Sequence, residues 1–242
     1  MNEVIKQLID RKSVRVFLDK EISKEDKNTI LKAAVNAPTA GNQQLYTILD
    51  ITDQNIKNRL VDTCDGQPFI ATAKMVLIFC ADCKKWYDGF RFAGCDPRDV
   101  GVGDLMLAVS DANIAAQNAV TAAESLGIGS CYIGDIMENC EDQRKLLGLP
   151  EYVFPAAMLV FGYPTEQQIG RPKPERADMS HIVHENKYRE MDPIELEQLF
   201  SIRTTEKPYK DYMKAFCERK YNSEFSKEMS RSVMEYLKQY IK

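Results

Sequence analysis

The 242-residue sequence lacks the features that mark several common classes of protein. Its formal charge of −4 and its pI near 5.4 leave no general basic field, which argues against a nucleic-acid-binding protein. No apolar run approaches the ~20 residues that a membrane-spanning helix needs, and no basic-then-apolar signal stands at the N-terminus. We therefore expect a soluble, cytoplasmic protein that binds neither nucleic acid nor membrane.

Motifs of familiar catalytic and nucleotide-binding sites are also missing. The sequence has no GxxxxGK[ST] phosphate loop, and no GxGxxG stands between a predicted strand and a predicted helix. The only histidines, His181 and His184, do not form an HExxH motif. In an extended segment this spacing points the rings to opposite faces, so we favour a structural role for both. Catalysis by a protein nucleophile or a histidine base therefore has little support.

The 7 cysteines lack the dense, even-numbered pattern of a disulfide-bonded secreted domain. Cys80 and Cys83 form a CxxC, which raises the alternatives of a metal site or a thiol redox site. A structural zinc ion usually has four ligands, and no second CxxC or HxxxH follows at a suitable spacing. Cys80 also ends the apolar run 75–79, which is typical of a buried strand. We interpret the cysteines as reduced, and as buried or incidental.

The most informative feature present is a compact basic segment, Arg11-Lys12-Ser13-Val14-Arg15. In an extended chain Arg11, Ser13 and Arg15 would face one side within ~13 Å, because successive side chains alternate. Arginine offers planar, permanently charged donors that suit phosphate oxygens. The segment indicates an anion site, although a solvated basic turn after a helix would have the same composition.

Apolar periodicity predicts helices and strands along most of the chain. Helices are predicted at about residues 3–10, 23–37, 56–61, 105–126, 141–147 and 225–241, and strands at about 45–51, 75–79, 129–134 and 156–161. Residues 84–103, which mix glycine, proline, aromatic and charged residues, are predicted to form an irregular excursion. The helix at 105–126 is apolar over so wide a surface that we expect it in a central core or a subunit interface.

Two further polar segments could contribute to a binding site. Residues 38–44, PTAGNQQ, are rich in amides and hydroxyls, although an ordinary helix-to-strand turn has similar residues. Residues 171–176, RPKPER, form a second compact basic segment that its prolines hold extended. Because the sequence supports no catalytic base or nucleophile, we expect the phosphate-type donors and amide-rich loops to bind a cofactor that does the chemistry.

These segments together resemble the FMN-dependent, oxygen-insensitive nitroreductases and NADPH-flavin reductases, and the NADPH-preferring branch most closely. The resemblance extends over roughly residues 3–190 in a constant order, which makes it more specific than any one motif. It is carried by RKSVR at 11–15, PTAGNQQ at 38–44, GQ at 66–67, AQNA at 116–119, AAESLGIG at 122–129, YIG at 132–134, GYP at 162–164, RPK at 171–173 and VHENKY at 183–188.

The resemblance implies an α+β fold in which a central, mostly antiparallel sheet is wrapped by helices. It implies one FMN-binding domain over residues 1–242, with residues 189–242 as a C-terminal extension that embraces a second copy. The protein would then be an intertwined homodimer with FMN at two interface sites. A second chain would cover both the apolar helix at 105–126 and the terminal helix.

The resemblance also assigns cofactor-binding residues by matching position. The FMN phosphate would be held by basic and hydroxyl-bearing residues, namely Arg11, Ser13, Arg171 and Lys173, with Lys12 beside them. Arg176 could replace one of the basic residues. Arg15 and Gln67 would contact the pyrimidine end of the ring. The ribityl chain or ring would be contacted by Thr39, Asn42 and Gln44, some of them from the partner chain. The O4/N5 edge would be lined by Tyr132, Ile133 and Gly134. No metal and no catalytic side chain is implied.

The implied activity is a two-electron transfer from NADPH or NADH, by a ping-pong mechanism, to nitroaromatics, quinones or free flavin. Two alternatives stay open: a flavin reductase whose nitro reduction is incidental, and a flavin-binding sensor module without turnover. Arg203, Lys207 and Lys210 are candidates for contact with the NADPH 2′-phosphate, although a charged tail is usually only solvated.

Overall fold

A computed structural model describes residues 1–204 and 207–241 of the chain. The chain divides into two compact units, the first formed by Met1–Arg171 together with the residues from Glu228 onward, and the second by Pro172–Lys227. The sequence predicted one domain with an extension over 189–242, of which Thr205, Glu206 and Lys242 lie outside the described residues. The second unit begins earlier than that extension, and the end of the last helix belongs to the first unit.

The first unit contains a four-stranded antiparallel sheet. Its strands are β1 Tyr46–Asp50, β2 Met75–Asp82, β3 Gly129–Ile133 and β4 Val153–Gly162, in the spatial order β1-β2-β4-β3. All residues of the two central strands, β2 and β4, are buried, because helices cover both faces of the sheet. The predicted antiparallel sheet wrapped by helices is confirmed.

Helices in the first unit surround this sheet. They are α1 Glu3–Asp10, α2 Lys24–Val35, α3 Gln54–Thr63, α4 Phe69–Thr72, α5 Lys84–Phe92, α6 Val102–Ser125, α7 Cys140–Leu147 and α8 Glu166–Gly170. The second unit contains α9 Pro193–Phe200 and α10 Tyr209–Lys220, and α11 Glu224–Leu237 begins there and ends in the first unit. No helix among residues 1–204 and 207–241 is both long enough and apolar enough to span a bilayer.

The core lies in two layers, one on each face of the sheet. Leu77, Phe79 and Ala81 of β2 pack into the layer that contains α6, whereas Val76 and Ile78 pack into the other layer. This division follows from the period of two in a strand. Helix α6 presents small residues to the sheet, which permits close approach, and these are Ala108, Ala112, Ala115, Ala116 and Ala119.

The prediction of an irregular excursion at 84–103 was wrong for its first half, where α5 forms. Two side-chain pairs spaced four residues apart support this helix: Lys84 with Asp88 at 2.6 Å, and Trp86 with Phe90 at 5.6 Å between ring centroids. Such pairs stabilise a helix and here outweigh the unfavourable Gly89. The irregular part is confined to the residues between α5 and α6.

Candidate functional site

The basic segment at 11–15 leaves α1 and lies against the sheet. The Val14 N–H donates to the carbonyl of Ser130 at 2.9 Å, and Leu18 N–H donates to Tyr163 at 2.8 Å. Gly129 and Gly162 face each other across β3 and β4 where the segment passes. A Cβ atom at Gly129 would lie 2.6 Å from Val14, and one at Gly162 would lie 2.7 Å from the Phe17 ring. Glycine is therefore required at both positions for the segment to reach the sheet.

This approach brings together Arg11, Ser13 and Arg171, three of the residues that the resemblance assigns to the FMN phosphate. Arg171 Nη2 donates to the Ser13 carbonyl at 2.5 Å, and Arg11 Nη2 lies 3.4 Å from both the carbonyl and Oγ of Ser130. Ser130 was not predicted, although it faces Ser13 in an isolated β-bridge. We call Arg11, Ser13, Ser130 and Arg171 the arginine cradle.

The arginine cradle holds more donors than the described residues use. The Nε atoms of Arg11 and Arg171 are buried, and neither has a hydrogen-bond partner within residues 1–204 and 207–241. Buried polar groups are nearly always hydrogen-bonded, so two guanidinium donors without partners in the same cluster suit an anionic ligand. The donor set fits a phosphate group.

The other predicted basic residues differ in their surroundings. The Lys12 ammonium group donates to the carbonyls of Ile169, at 2.6 Å, and Arg171, so it joins two parts of the backbone. Arg15 is exposed, with its guanidinium 6.0 Å from the centroid of Phe69. Lys173 and Arg176 belong to the second unit, and their assignment to the phosphate stays a prediction.

The polar loop at 38–44, which we call the amide loop, is shaped by a carboxylate that the sequence analysis missed. Asp111 of α6, only 2% exposed, accepts hydrogen bonds from Ala40 N–H at 2.9 Å and Leu45 N–H at 3.1 Å. Thr39 Oγ1 accepts from Gln44 N–H at 2.8 Å. A lone acid on the apolar face of α6 was a usable signal, because a buried carboxylate needs partners.

Further contacts hold the outside of the amide loop. Gln44 Nε2 donates to the Val35 carbonyl at 3.0 Å, and Trp86 Nε1 of α5 donates to the Gln43 carbonyl at 2.7 Å. Asn42 is exposed and takes a positive φ of 56°. Thr39 and Gln44 are thus both half-buried and each has a structural hydrogen bond, whereas Asn42 lies at the accessible surface of the loop.

The remaining predicted residues lie around the end of β3. Gln67 Nε2 donates to the Cys64 carbonyl at 3.0 Å and to Asp135 Oδ2 at 2.8 Å, in the short turn Gly134–Met137 that follows the strand. Tyr132 is half-buried, and burial raises the pKa of its hydroxyl to about 12. Ile133 is buried and Gly134 is exposed, so the backbone of Gly134 is open to a ligand.

A second carboxyl group, that of Glu138 at the end of the turn after β3, was also missed. Glu138 is only 3% exposed, and its Oε1 has no hydrogen-bond partner among the described residues. Burial, reinforced by the neighbouring acids Asp135, Asp65 and Glu228, raises the pKa of Glu138 to about 8. Glu138 is therefore largely protonated at neutral pH.

The cysteine and histidine pairs stand apart from these features. Cys80 and Cys83 are buried free thiols, as interpreted from the sequence, and burial raises the pKa of each to about 12. The extended segment expected at His181 and His184 was wrong, because the short helical turn Met179–His181 forms there, and both residues line one pocket in the second unit.

Comparison with known proteins agrees with this geometry. Residues 8–163 match the Nitroreductase family. The chain is 30% identical over 242 residues to the FMN reductase [NAD(P)H] of Bacillus subtilis, covering 98% of this chain and 91% of that protein. It is 34% identical over 193 residues to the oxygen-insensitive NADPH nitroreductase of Salmonella typhimurium, covering 79% and 77% of the two proteins.

Solved structures agree as well. The NADPH:FMN oxidoreductase from Vibrio harveyi, solved in complex with NAD⁺, superposes with a TM-score of 0.78 at 26% identity, covering 99% of this chain and 98% of that chain. The predicted family resemblance and the predicted fold class are both confirmed. The chain belongs to the nitroreductase family.

Proposed function

We propose that this protein is an FMN-dependent oxidoreductase that passes two electrons from NADPH or NADH to small-molecule acceptors. The observation that carries the proposal is the arginine cradle, where two buried guanidinium Nε atoms lack partners among the described residues. Family membership supports it, since relatives are named FMN reductase [NAD(P)H] and oxygen-insensitive NADPH nitroreductase.

The residues present favour FMN over a dinucleotide flavin. Arg11, Ser13, Ser130 and Arg171 form one cluster of phosphate size, and the sequence has no glycine-rich loop between a strand and a helix to hold a pyrophosphate. Lys173 would add a further positive charge at the phosphate. Asn42, at the accessible surface of the amide loop, and the half-buried Thr39 would contact the ribityl chain or ring, and Gln44 would hold the loop in shape.

Bound FMN supplies two-electron chemistry at N5, so this chain needs no acid or base of its own. Arg15 would place a fixed positive charge at the pyrimidine end of the ring, and Gln67 would orient that end by hydrogen bonding. Such preset charges favour negative charge that develops during reduction. The backbone at Ile133 and Gly134 would line the O4/N5 edge, and the donor and the acceptor would use the same face in turn.

We also propose that the protein is a homodimer. Helix α1 has no buried residue within the chain, and it exposes Val4, Ile5, Leu8 and Ile9 along one face. Helix α6 exposes Met106, Leu107 and Ile114. Apolar faces of this kind on an ordered helix are typical of subunit interfaces. A stable, FMN-loaded monomer by light scattering at micromolar concentration would contradict the dimer.

The first test is to purify the protein, record its visible spectrum and identify any released flavin by chromatography. We expect FMN, and release of FAD would contradict the assignment. Anaerobic addition of NADPH in a stopped-flow instrument should then bleach the flavin absorbance. A flavin that stays oxidised would point to a binding module without turnover.

Free flavin is the acceptor favoured by the name of the Bacillus subtilis relative, and nitroarenes by that of the Salmonella relative. Steady-state kcat/KM for free FMN, a quinone and a nitroarene, measured on one enzyme preparation, separates these candidates. We place the reaction in the cytoplasm, which provides NAD(P)H and keeps the free thiols reduced.

For nucleotide preference we propose that Arg203, Lys207 and Lys210 of the second unit contact the 2′-phosphate of NADPH. All three are exposed, as flexible phosphate contacts need to be. Replacing the three by glutamine should lower kcat/KM for NADPH and leave that for NADH unchanged. A matched control replaces three exposed lysines of the first unit, Lys24, Lys32 and Lys145. Equal losses for both nucleotides, or none, would contradict the proposal.

A further inference from the structure

An asparagine side chain joins the segment that carries Gln67 to the turn after β3. Asn139 lies between the turn Gly134–Met137 and α7. Its Nδ2 donates a hydrogen bond to the carbonyl of Thr63, the last residue of α3, at 2.9 Å. This bond connects segments 76 residues apart in sequence, and both carry residues proposed to contact the flavin ring.

The backbone of Asn139 takes a left-handed conformation, with φ 51° and ψ 49°. Asparagine and glycine tolerate this conformation better than other residues do. Side chains of α11 hold it in place. Asn139 N–H donates to Glu228 Oε1 at 3.1 Å, and the next N–H, that of Cys140, donates at 2.9 Å to Ser232 Oγ. This part of α11 belongs to the first unit, so the end of the chain fixes the backbone from which Asn139 reaches Thr63.

The acceptor end of this bond is held as firmly. Thr63 is only 6% exposed, and its hydroxyl accepts a hydrogen bond from Gln143 Nε2 of α7 at 3.0 Å. Cys64 follows directly in the chain, and its carbonyl accepts a hydrogen bond from Gln67 Nε2 at 3.0 Å. The position of Thr63 therefore sets the position of the carbonyl to which Gln67 is bonded.

Two acceptors orient the Gln67 carboxamide, one from each of the segments that Asn139 joins. Gln67 Nε2 donates to the Cys64 carbonyl at 3.0 Å and to Asp135 Oδ2 at 2.8 Å. A carboxamide has two N–H donors, so with both engaged its oxygen is what Gln67 offers to a ligand. A change in the separation of the two segments would lengthen one of these bonds and free the carboxamide to turn.

We propose that Asn139 is a positioning residue, which keeps the two segments at the separation that directs the Gln67 carboxamide oxygen toward the bound cofactor. The proposal rests on the proposed function, because it takes the cofactor to be a flavin whose pyrimidine ring carries an N–H donor. Asn139 acts through Thr63 and Gln67 and makes no bond to the arginine cradle. Loss of its side chain should therefore weaken the ring end of the site and leave the phosphate end unchanged.

The test replaces Asn139 by glycine, which removes the side chain and still permits the left-handed backbone. We expect the FMN dissociation constant, measured by quenching of flavin fluorescence, to rise roughly two- to tenfold, the effect of one hydrogen bond. Asn186→Gly is the matched control, because Asn186 also has a positive φ, of 63°, and is exposed in the second unit. Its dissociation constant should equal that of the unaltered protein.

Inorganic phosphate separates positioning from general damage to the site. Phosphate should compete with FMN at the arginine cradle, and Asn139→Gly should leave its inhibition constant unchanged, whereas Arg11→Ala should raise it. Equal FMN affinity in Asn139→Gly and Asn186→Gly, or parallel losses of FMN and phosphate affinity in Asn139→Gly, would overturn the proposal. Should Asn139→Gly fail to fold, Asn139→Asp keeps the size of the side chain but replaces the donor by an acceptor, and the same selective loss is expected.

A second readout needs no FMN. In the full chain without cofactor, amide hydrogen exchange at residues 64–67, where Gly66 N–H donates to the Val61 carbonyl at 3.0 Å, should be faster in Asn139→Gly than in Asn186→Gly. Faster exchange in a protein that binds no FMN would overturn the proposed function and support the link between the two segments. FMN binding by the unaltered protein, with equal exchange in both variants, would overturn the positioning role and leave the proposed function standing.

Discussion

The arginine cradle and the amide loop are both parts of one proposed site, but they differ in how their polar groups are satisfied. In the amide loop, backbone N–H groups are bonded by Asp111 and Thr39, so the chain itself determines its shape. In the arginine cradle, the Nε atoms of Arg11 and Arg171 lack partners among the described residues. Folding alone therefore determines the shape of the amide loop, whereas the donors of the arginine cradle are available to bind a ligand.

This comparison separates two effects that mutation usually mixes. Changes that remove a partner of the amide loop should lower the stability of the fold, with loss of FMN as a consequence. Changes in the arginine cradle should lower FMN affinity while the stability of the chain without cofactor stays nearly constant. Single substitutions in the two regions test this separation.

Replacing Asp111 by alanine should have the largest effect on stability. It leaves the N–H groups of Ala40 and Leu45 without their charged acceptor inside a buried site. We expect the free energy of unfolding to fall by about 3–5 kcal/mol, since each buried group left unsatisfied costs about 1–3 kcal/mol. Urea unfolding of the protein without FMN measures this.

The matched control for Asp111→Ala is Asp96→Ala, because Asp96 is exposed in the irregular segment before α6. It should change stability by less than about 0.5 kcal/mol. A similar small change for Asp111→Ala would mean that the amide loop keeps its shape without the carboxylate, and the contrast between the two regions would be lost.

Replacing Arg11 by alanine should have the opposite pattern. A charge-assisted hydrogen bond is worth about 1.5–3 kcal/mol, so FMN affinity should fall roughly 10- to 150-fold. Urea unfolding without FMN should change little, because the hydrogen bonds of the Arg11 side chain to the described residues are long, at 3.4 Å. Arg59→Ala, at an exposed arginine of α3, is the control, and an unchanged FMN affinity in Arg11→Ala would remove Arg11 from the site.

Much of the fold could be predicted because its signals are local. The strands β2 and β4 are continuous apolar runs, and Ser23, at the predicted start of α2, caps that helix by accepting from Asp26 N–H at 2.9 Å. Helix α5 was missed because its support comes from paired side chains, whereas glycine and charge suggested a loop. Trp86 and Phe90 are four residues apart, a spacing typical of a helix, and this signal could have corrected the prediction of an irregular segment.

The candidate site was predictable only in part, for a related reason. Arg11, Ser13 and Arg171 belong to segments whose composition already indicates an anion site. The roles of Asp111 and Glu138 depend instead on groups that are distant in sequence. Asp111, for example, accepts a hydrogen bond from Ala40 N–H. Nothing in the residues next to Glu138 indicates that Asp65 and Glu228 will face it. Roles that arise from tertiary contacts leave little trace in a single sequence.

Lys12 offers an intermediate case between the two regions. It lies in the basic segment, yet its ammonium group donates to the carbonyls of Ile169 and Arg171. We expect Lys12→Met to lower the stability of the protein without FMN by about 1.5–2 kcal/mol, the lower part of the range for hydrogen bonds to a charged group. Its FMN affinity should fall less than that of Arg11→Ala. A larger loss of affinity than of stability would assign Lys12 to the phosphate directly.

The smallest expected effect concerns Trp86, which bonds the amide loop from outside. Trp86→Phe keeps an aromatic ring beside Phe90 but removes the donor to the Gln43 carbonyl, so stability should fall by about 1 kcal/mol. Trp86 is the only tryptophan in the sequence, so its fluorescence in the unaltered protein reports on the amide loop alone. We expect inorganic phosphate to bind at the arginine cradle. If folding fixes the shape of the amide loop, the emission maximum should be the same with and without phosphate. A shift of the maximum with phosphate would mean that the two regions are coupled, and that the amide loop also depends on the ligand for its shape.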